Sequence, residues 1–206
     1  MQKSNIKFLT RVAAFTAIII LLTFTPIGYI PLTPVLTITI IQIPVIIGAV
    51  LLGPVAGIIL GIVWGVTALI RIPIDPLGAI LFAQNPFFTA IVCIIPRILV
   101  GFLTGIIVPL LLKLVDRFTK SKSEAIGAKV AVYGFMGFIG SALNTILFLS
   151  TLALMFHSVV LEESSFRTFW VFISSVVVTN GVPEFVISMI VVAPICKILD
   201  SYSNLK

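Results

Sequence analysis

The sequence predicts an all-α membrane protein with six transmembrane helices, and three observations lead there. Of its 206 residues 60% are hydrophobic and 10% charged, against roughly one-quarter charged in an ordinary soluble domain. Mean hydropathy is +1.28. The long apolar runs lack the polar/apolar alternation of a β-barrel and carry scattered Gly and Pro, as spanning helices do. At about 20 apolar residues per crossing, residues 1–206 make one membrane domain with little left for a soluble one.

Spans fall near 8–27, 40–53, 55–71, 88–115, 128–156 and 168–198. The first begins like a signal peptide, but its apolar run is long and no A-x-A-type cleavage site follows, so it reads as a retained helix. The second is short, and Gly53-Pro54 separates it from the third as a tight helical hairpin, because Pro removes a donor and pushes the preceding residue out of helical geometry. Lys3, Lys7 and Arg11 precede span one. Lys113, Arg117, Lys120, Lys122 and Lys129 bracket the connection between spans four and five, and Lys197 and Lys206 follow span six. The positive-inside rule puts these segments, and both termini, in the cytoplasm. The opposite connections hold only Arg71 with Asp75, and Glu162, Glu163 and Arg167. The net charge of +6 is thus mostly a topology signal and calls for no nucleic-acid partner. Two Pro-rich apolar outer connections, 26–44 and 71–86, read as loops that cap a cavity from outside.

Arg97, in the apolar run IIPRILVG, lies roughly 13 Å below the start of span four at about 1.5 Å per residue, too deep to snorkel easily. A charge at this depth marks a functional site, or else a structural ion pair for which Glu184 is the mate. Asn144, Asn180 and Glu184 come at similar depth in spans five and six. The amides either bridge helices or join Arg97 in a pocket. Asn180-Gly181-Val182-Pro183 interrupts span six, as tolerated beside a cavity. Asn85 and Gln84 lie at the mouth, and Tyr29, Gln42 and Trp64 are candidates for closing and walling the site. One cation with several neutral amides in an apolar pocket suits a small monoanion bearing hydroxyl or amide groups, since the guanidinium fork matches a carboxylate.

No nucleotide-binding loop, zinc-protease or serine-hydrolase motif occurs, and His157 is the lone histidine. This argues against an enzyme or a self-contained ATPase. No cofactor is expected. Cys93 and Cys196 sit in or beside apolar runs without CxxC spacing, and read as packing residues rather than a disulfide or zinc site. Span one carries a small-residue step, Ala13 and Ala17, and span three another at Gly57, Gly61 and Gly65, where helices approach closely. The glycines suit packing inside the bundle. The alanines are open to either a neighbour within it or an outside partner.

The Ala13/Ala17 step, the run IPVIIGAVLLGPVAGIILGIVWGVTALIR at 43–71 and NPFFTAIVCIIPRILVGFLTG at 85–105 together resemble the substrate-binding S components of bacterial energy-coupling-factor (ECF) vitamin transporters. The GPxxGxxxGxxxG run followed by PRxxxG is the specific part. The resemblance implies a six-helix bundle in the bacterial cell membrane, with a vitamin held under the first outer loop. It also implies partners: a transmembrane coupling protein (T component), contacted through Ala13 and Ala17, and two cytoplasmic ATPases that hydrolyse the ATP. The S component is expected to topple to release its cargo. The pattern is most similar to pantothenate-specific members, with Arg97 on the carboxylate and Asn85, Asn144 and Asn180 on the amide and hydroxyls. Carriers of riboflavin, pyridoxine or hydroxymethylpyrimidine are the alternatives within the family, and a stand-alone permease the alternative outside it.

Overall fold

The structure is a computed structural model that describes residues 2–31, 37–119, 121–156 and 177–204. Seven α-helices occur among the described residues: α1 (Gln2–Thr23), α2 (Gln42–Leu52), α3 (Pro54–Arg71), α4 (Pro76–Gln84), α5 (Pro86–Phe118), α6 (Lys122–Met155) and α7 (Val182–Asn204). Strands β1 (Tyr29–Pro31) and β2 (Thr37–Thr39) form a small antiparallel ribbon between α1 and α2, with Tyr29 opposite Thr39. The protein is therefore helical apart from two three-residue strands. Five helices are long and apolar enough to cross a bilayer. The exception among the expected spans is α2, whose 11 residues rise only about 16 Å against a hydrocarbon core of about 30 Å.

Gly53 makes the expected break. It alone separates α2 from α3, at φ 88°, a region that L side chains avoid, and Pro54 then starts α3 at a position where its missing N–H costs nothing. The second Pro-rich connection departs from the reading as a loop. After a 3₁₀ turn at Ile72–Ile74, residues 76–84 form α4. Pro76 and Pro86 both sit in first helical turns, so these prolines start helices rather than exclude them. Span six also differs. Residues 177–181 form a π-helical turn that runs into α7, which continues to Asn204, so the backbone at Asn180-Gly181 is widened, not broken. The expected residues 168–176 of that span, together with His157, Glu162, Glu163 and Arg167, lie outside the described residues.

The glycines of α3 bring it onto α5. A β-carbon on Gly57 would strike the Gly101 carbonyl and one on Gly61 the Arg97 carbonyl, while one on Gly65 would lie 2.9 Å from the Ile94 α-carbon. Gly101 and Gly105 complete the seam from the α5 side, facing Gly57 and Pro54. Backbones this close gain dispersion contacts along their length, which in lipid replaces the missing hydrophobic drive. α1 packs on α2 and α3 through Val12 and Ile19 against Ile41, Val45, Leu60 and Trp64. Ala13 and Ala17 are exposed. α6 meets α7 where Gly137 abuts the Ser188 backbone.

Gly57→Val is expected to destabilise the protein by roughly 1–3 kcal/mol, because neither backbone at the seam can yield. Gly127→Ala, whose β-carbon would meet nothing within 4 Å, should be neutral or better. Thermal unfolding of both variants in detergent checks the contrast.

Candidate functional site

A cavity of about 150 Å³ opens between the ribbon, α3, α4, α5, α6 and the π-turn. Apolar side chains such as Leu81, Val92, Phe148 and Leu152 form much of its wall, and the polar groups come from separate elements.

Arg97 enters from α5. Its Nη1 donates to the Val92 carbonyl at 2.6 Å, and its guanidinium carbon lies 4.9 Å from the Phe148 ring centre and 5.3 Å from that of Trp64. Both contacts are within cation–π range. The seam sets this position, since Gly61 lets α3 rest on the Arg97 backbone and places Trp64, one turn on, behind the guanidinium. Among the described residues no carboxylate pairs with Arg97, and its Nε is buried without a hydrogen-bond partner.

The expected alternative mate, Glu184, is engaged elsewhere. It is 6% exposed. Its Oε1 accepts from the Thr39 backbone N–H at 2.6 Å and its Oε2 from Gln42 Nε2 at 3.3 Å. Gln42, fully buried at the start of α2, also lies 2.8 Å from Ser141 Oγ and 3.4 Å from Ser188 Oγ. Glu184 therefore ties α7 to the ribbon and to α2 while presenting one side to the cavity. An ion pair with Arg97 is not what keeps either group in place.

Of the sequence-derived candidates, Tyr29, Arg97, Asn144, Asn180 and Glu184 line this one cavity. Asn144 Oδ1 is buried with no hydrogen-bond partner. Trp64 stands behind Arg97, and Gln42 acts through Glu184. Asn85 sits apart from the lining: it caps α5, its Oδ1 accepting from the Phe88 N–H at 3.1 Å. Cys93 is also on the wall, as a free thiol.

Sequence reasoning missed Arg71, Asp75, Thr39 and Thr145, all of which line the cavity. Arg71 stacks on Tyr29, 3.7 Å from its ring centre, and so ties the ribbon to the end of α3. Burial pushes the Tyr29 phenol up, against the pull of Arg97 and Arg71, which keeps it a neutral hydrogen-bonding group. A signal for Arg71 was present: the small-residue stripe Gly61, Gly65, Ala68 advances in steps of four and three, and one more step reaches Arg71 on the same face.

The family of ECF transporter substrate-specific components matches residues 7–196. A pantothenate transporter, PanT, of Leuconostoc mesenteroides is 34% identical over 152 residues, covering 71% of this chain and 68% of the relative. A pantothenic acid transporter, PanT, of Lactococcus lactis is 29% identical over 177 residues, covering 81% and 79%.

Glu184→Ala is expected to release the ribbon, since the Thr39 N–H and Gln42 amide lose their shared acceptor. Hydrogen exchange should rise at residues 38–41 by about tenfold or more, in proportion to roughly 1–3 kcal/mol of lost local stability. The α3–α5 seam should be unaffected, and peptide-level exchange measured by mass spectrometry reads both regions at once.

Proposed function

This chain belongs to the substrate-specific components of the ECF transporters, and from that membership we propose that it captures pantothenate outside the cell and delivers it to a coupling module. Members are transporter subunits, and this chain is a multi-pass membrane protein rather than an enzyme. In the proposed assembly a T component and two cytoplasmic ATPases supply the energy. ATP is hydrolysed there, and this chain holds no cofactor. The exposed Ala13/Ala17 face of α1 meets the T component, and toppling of the whole unit, residues 1–206, carries the vitamin inward. The extended segment from β2 together with α2 makes the sixth crossing beside the five long helices, with both termini in the cytoplasm.

One observation carries the substrate assignment. The wall of a single, mostly apolar cavity holds an unpartnered buried donor, Arg97 Nε, and an unpartnered buried acceptor, Asn144 Oδ1. A buried polar group left unmade costs about 1–3 kcal/mol, and more when charged. Pantothenate brings both complements: a carboxylate for the guanidinium, and hydroxyl or amide hydrogens for the asparagine. The two relatives, both pantothenate transporters by name, agree with this choice. Asn180 and Glu184 supply further polar contacts near the π-turn, and Tyr29 closes the outer side. Binding and release involve no bond making.

Titration of the purified protein with pantothenate, riboflavin, pyridoxine and a hydroxymethylpyrimidine is expected to show tight binding of pantothenate alone. Arg97→Ala should weaken it by about 100-fold, the equivalent of a lost charge-assisted hydrogen-bond pair. The variant should remain folded, because Glu184 keeps its own partners. Tight binding of a neutral vitamin, or unchanged binding of pantothenate by folded Arg97→Ala, would reject the assignment.

A further inference from the structure

Pro96 and Arg97 are chemically linked through a third residue. In an α-helix each carbonyl accepts from the N–H four positions on, so the Val92 carbonyl would bond residue 96. Residue 96 is proline and has no N–H. A carbonyl so orphaned inside a membrane helix needs another donor. Helical side chains lean toward the N-terminus, so residue 97 is well placed to reach back, and Arg97 Nη1 donates to that carbonyl at 2.6 Å. The guanidinium is rigid and planar. Once Nη1 is committed and Trp64 and Phe148 pack beside the group, the edge formed by Nε and Nη2 is the one left for a ligand, and Nε is buried without a partner.

We propose that Pro96 is a positioning residue for substrate: by withholding an N–H from the Val92 carbonyl it clamps Arg97 Nη1 there and presents the Nε–Nη2 edge to a carboxylate. Pro96 touches no substrate itself. The ligand half of this statement rests on the reading that the cavity takes a carboxylate vitamin, whereas the clamp is a property of the empty protein.

The clamp is tested without ligand. Full-length protein with arginine-selective 15N labelling is placed in lipid nanodiscs, and the Arg97 resonances are assigned by their loss in Arg97→Lys. Wild type is expected to show resolved Arg97 Nη–H signals from restricted rotation, and Pro96→Ala, which restores the backbone donor, to merge them. Pro109→Ala, at the other proline in the interior of α5, should leave them alone. Averaged signals in wild type, or unchanged ones in folded Pro96→Ala, overturn the clamp, and the wild-type spectrum decides even if Pro96→Ala does not fold.

The edge is tested by comparing pantothenate with its primary-alcohol analogue. Pro96→Ala should cut the preference for the acid by about tenfold while changing alcohol affinity little, and adding Pro96→Ala to Arg97→Ala should cost nothing more. Equal losses for acid and alcohol, or a further loss in the double variant, overturn the positioning role. Failure of wild type to bind pantothenate, with the clamp signals present, rejects the substrate assignment and the proposed ligand edge, and leaves the clamp standing.

Discussion

The cavity depends on the approach of α3 to α5, where glycines on both helices leave no β-carbons between the backbones. From that contact the rest follows in order. Gly61 resting on the Arg97 carbonyl fixes the height of the arginine on α5, and Trp64 comes with it from the next turn of α3. The same face of α3 then ends in Arg71, which holds Tyr29 of the ribbon. A seam of missing side chains thus positions two guanidinium groups and, through one of them, part of the cavity's cover.

Burying a cation ordinarily calls for a buried anion, yet here the two are kept apart. Arg97 is stabilised by a carbonyl and two aromatic rings, and Glu184 by a backbone N–H and an amide. Each set offsets part of the desolvation cost without neutralising charge. A closed Arg97–Glu184 pair would leave a carboxylate ligand competing with a resident one. Keeping Glu184 on the ribbon and α2 leaves the positive charge free for the carboxylate of the proposed substrate, and gives Glu184 a structural task that links three elements around the same cavity.

Much of this was legible in the sequence for identifiable reasons. Hydropathy and basic residues report spans directly, and Gly53-Pro54 is a local signal that the backbone obeys. Arg97, Asn144, Asn180 and Glu184 stand out because polar groups are scarce at depth, and depth can be counted along a helix. Pairings between helices cannot be counted in this way. Nothing local says that Glu184 would bond Thr39, 145 positions away, rather than Arg97, or that Asn85 would spend its side chain capping α5. The proline content of residues 71–86 suggests a loop, whereas two of its prolines occupy helix starts. Arg71 reads first as a topology charge, and only its place on the small-residue face of α3 points to the cavity.

In the proposed function, Arg97 has no carboxylate partner among the described residues because its counter-ion is the substrate. An experimental structure of the pantothenate-loaded protein in a lipid environment tests this most directly. The account predicts a carboxylate oxygen about 2.7–2.9 Å from Arg97 Nε, with Glu184 still on the Thr39 N–H. A carboxylate placed on Arg71 instead, or an Arg97–Glu184 pair beside the bound vitamin, would contradict it.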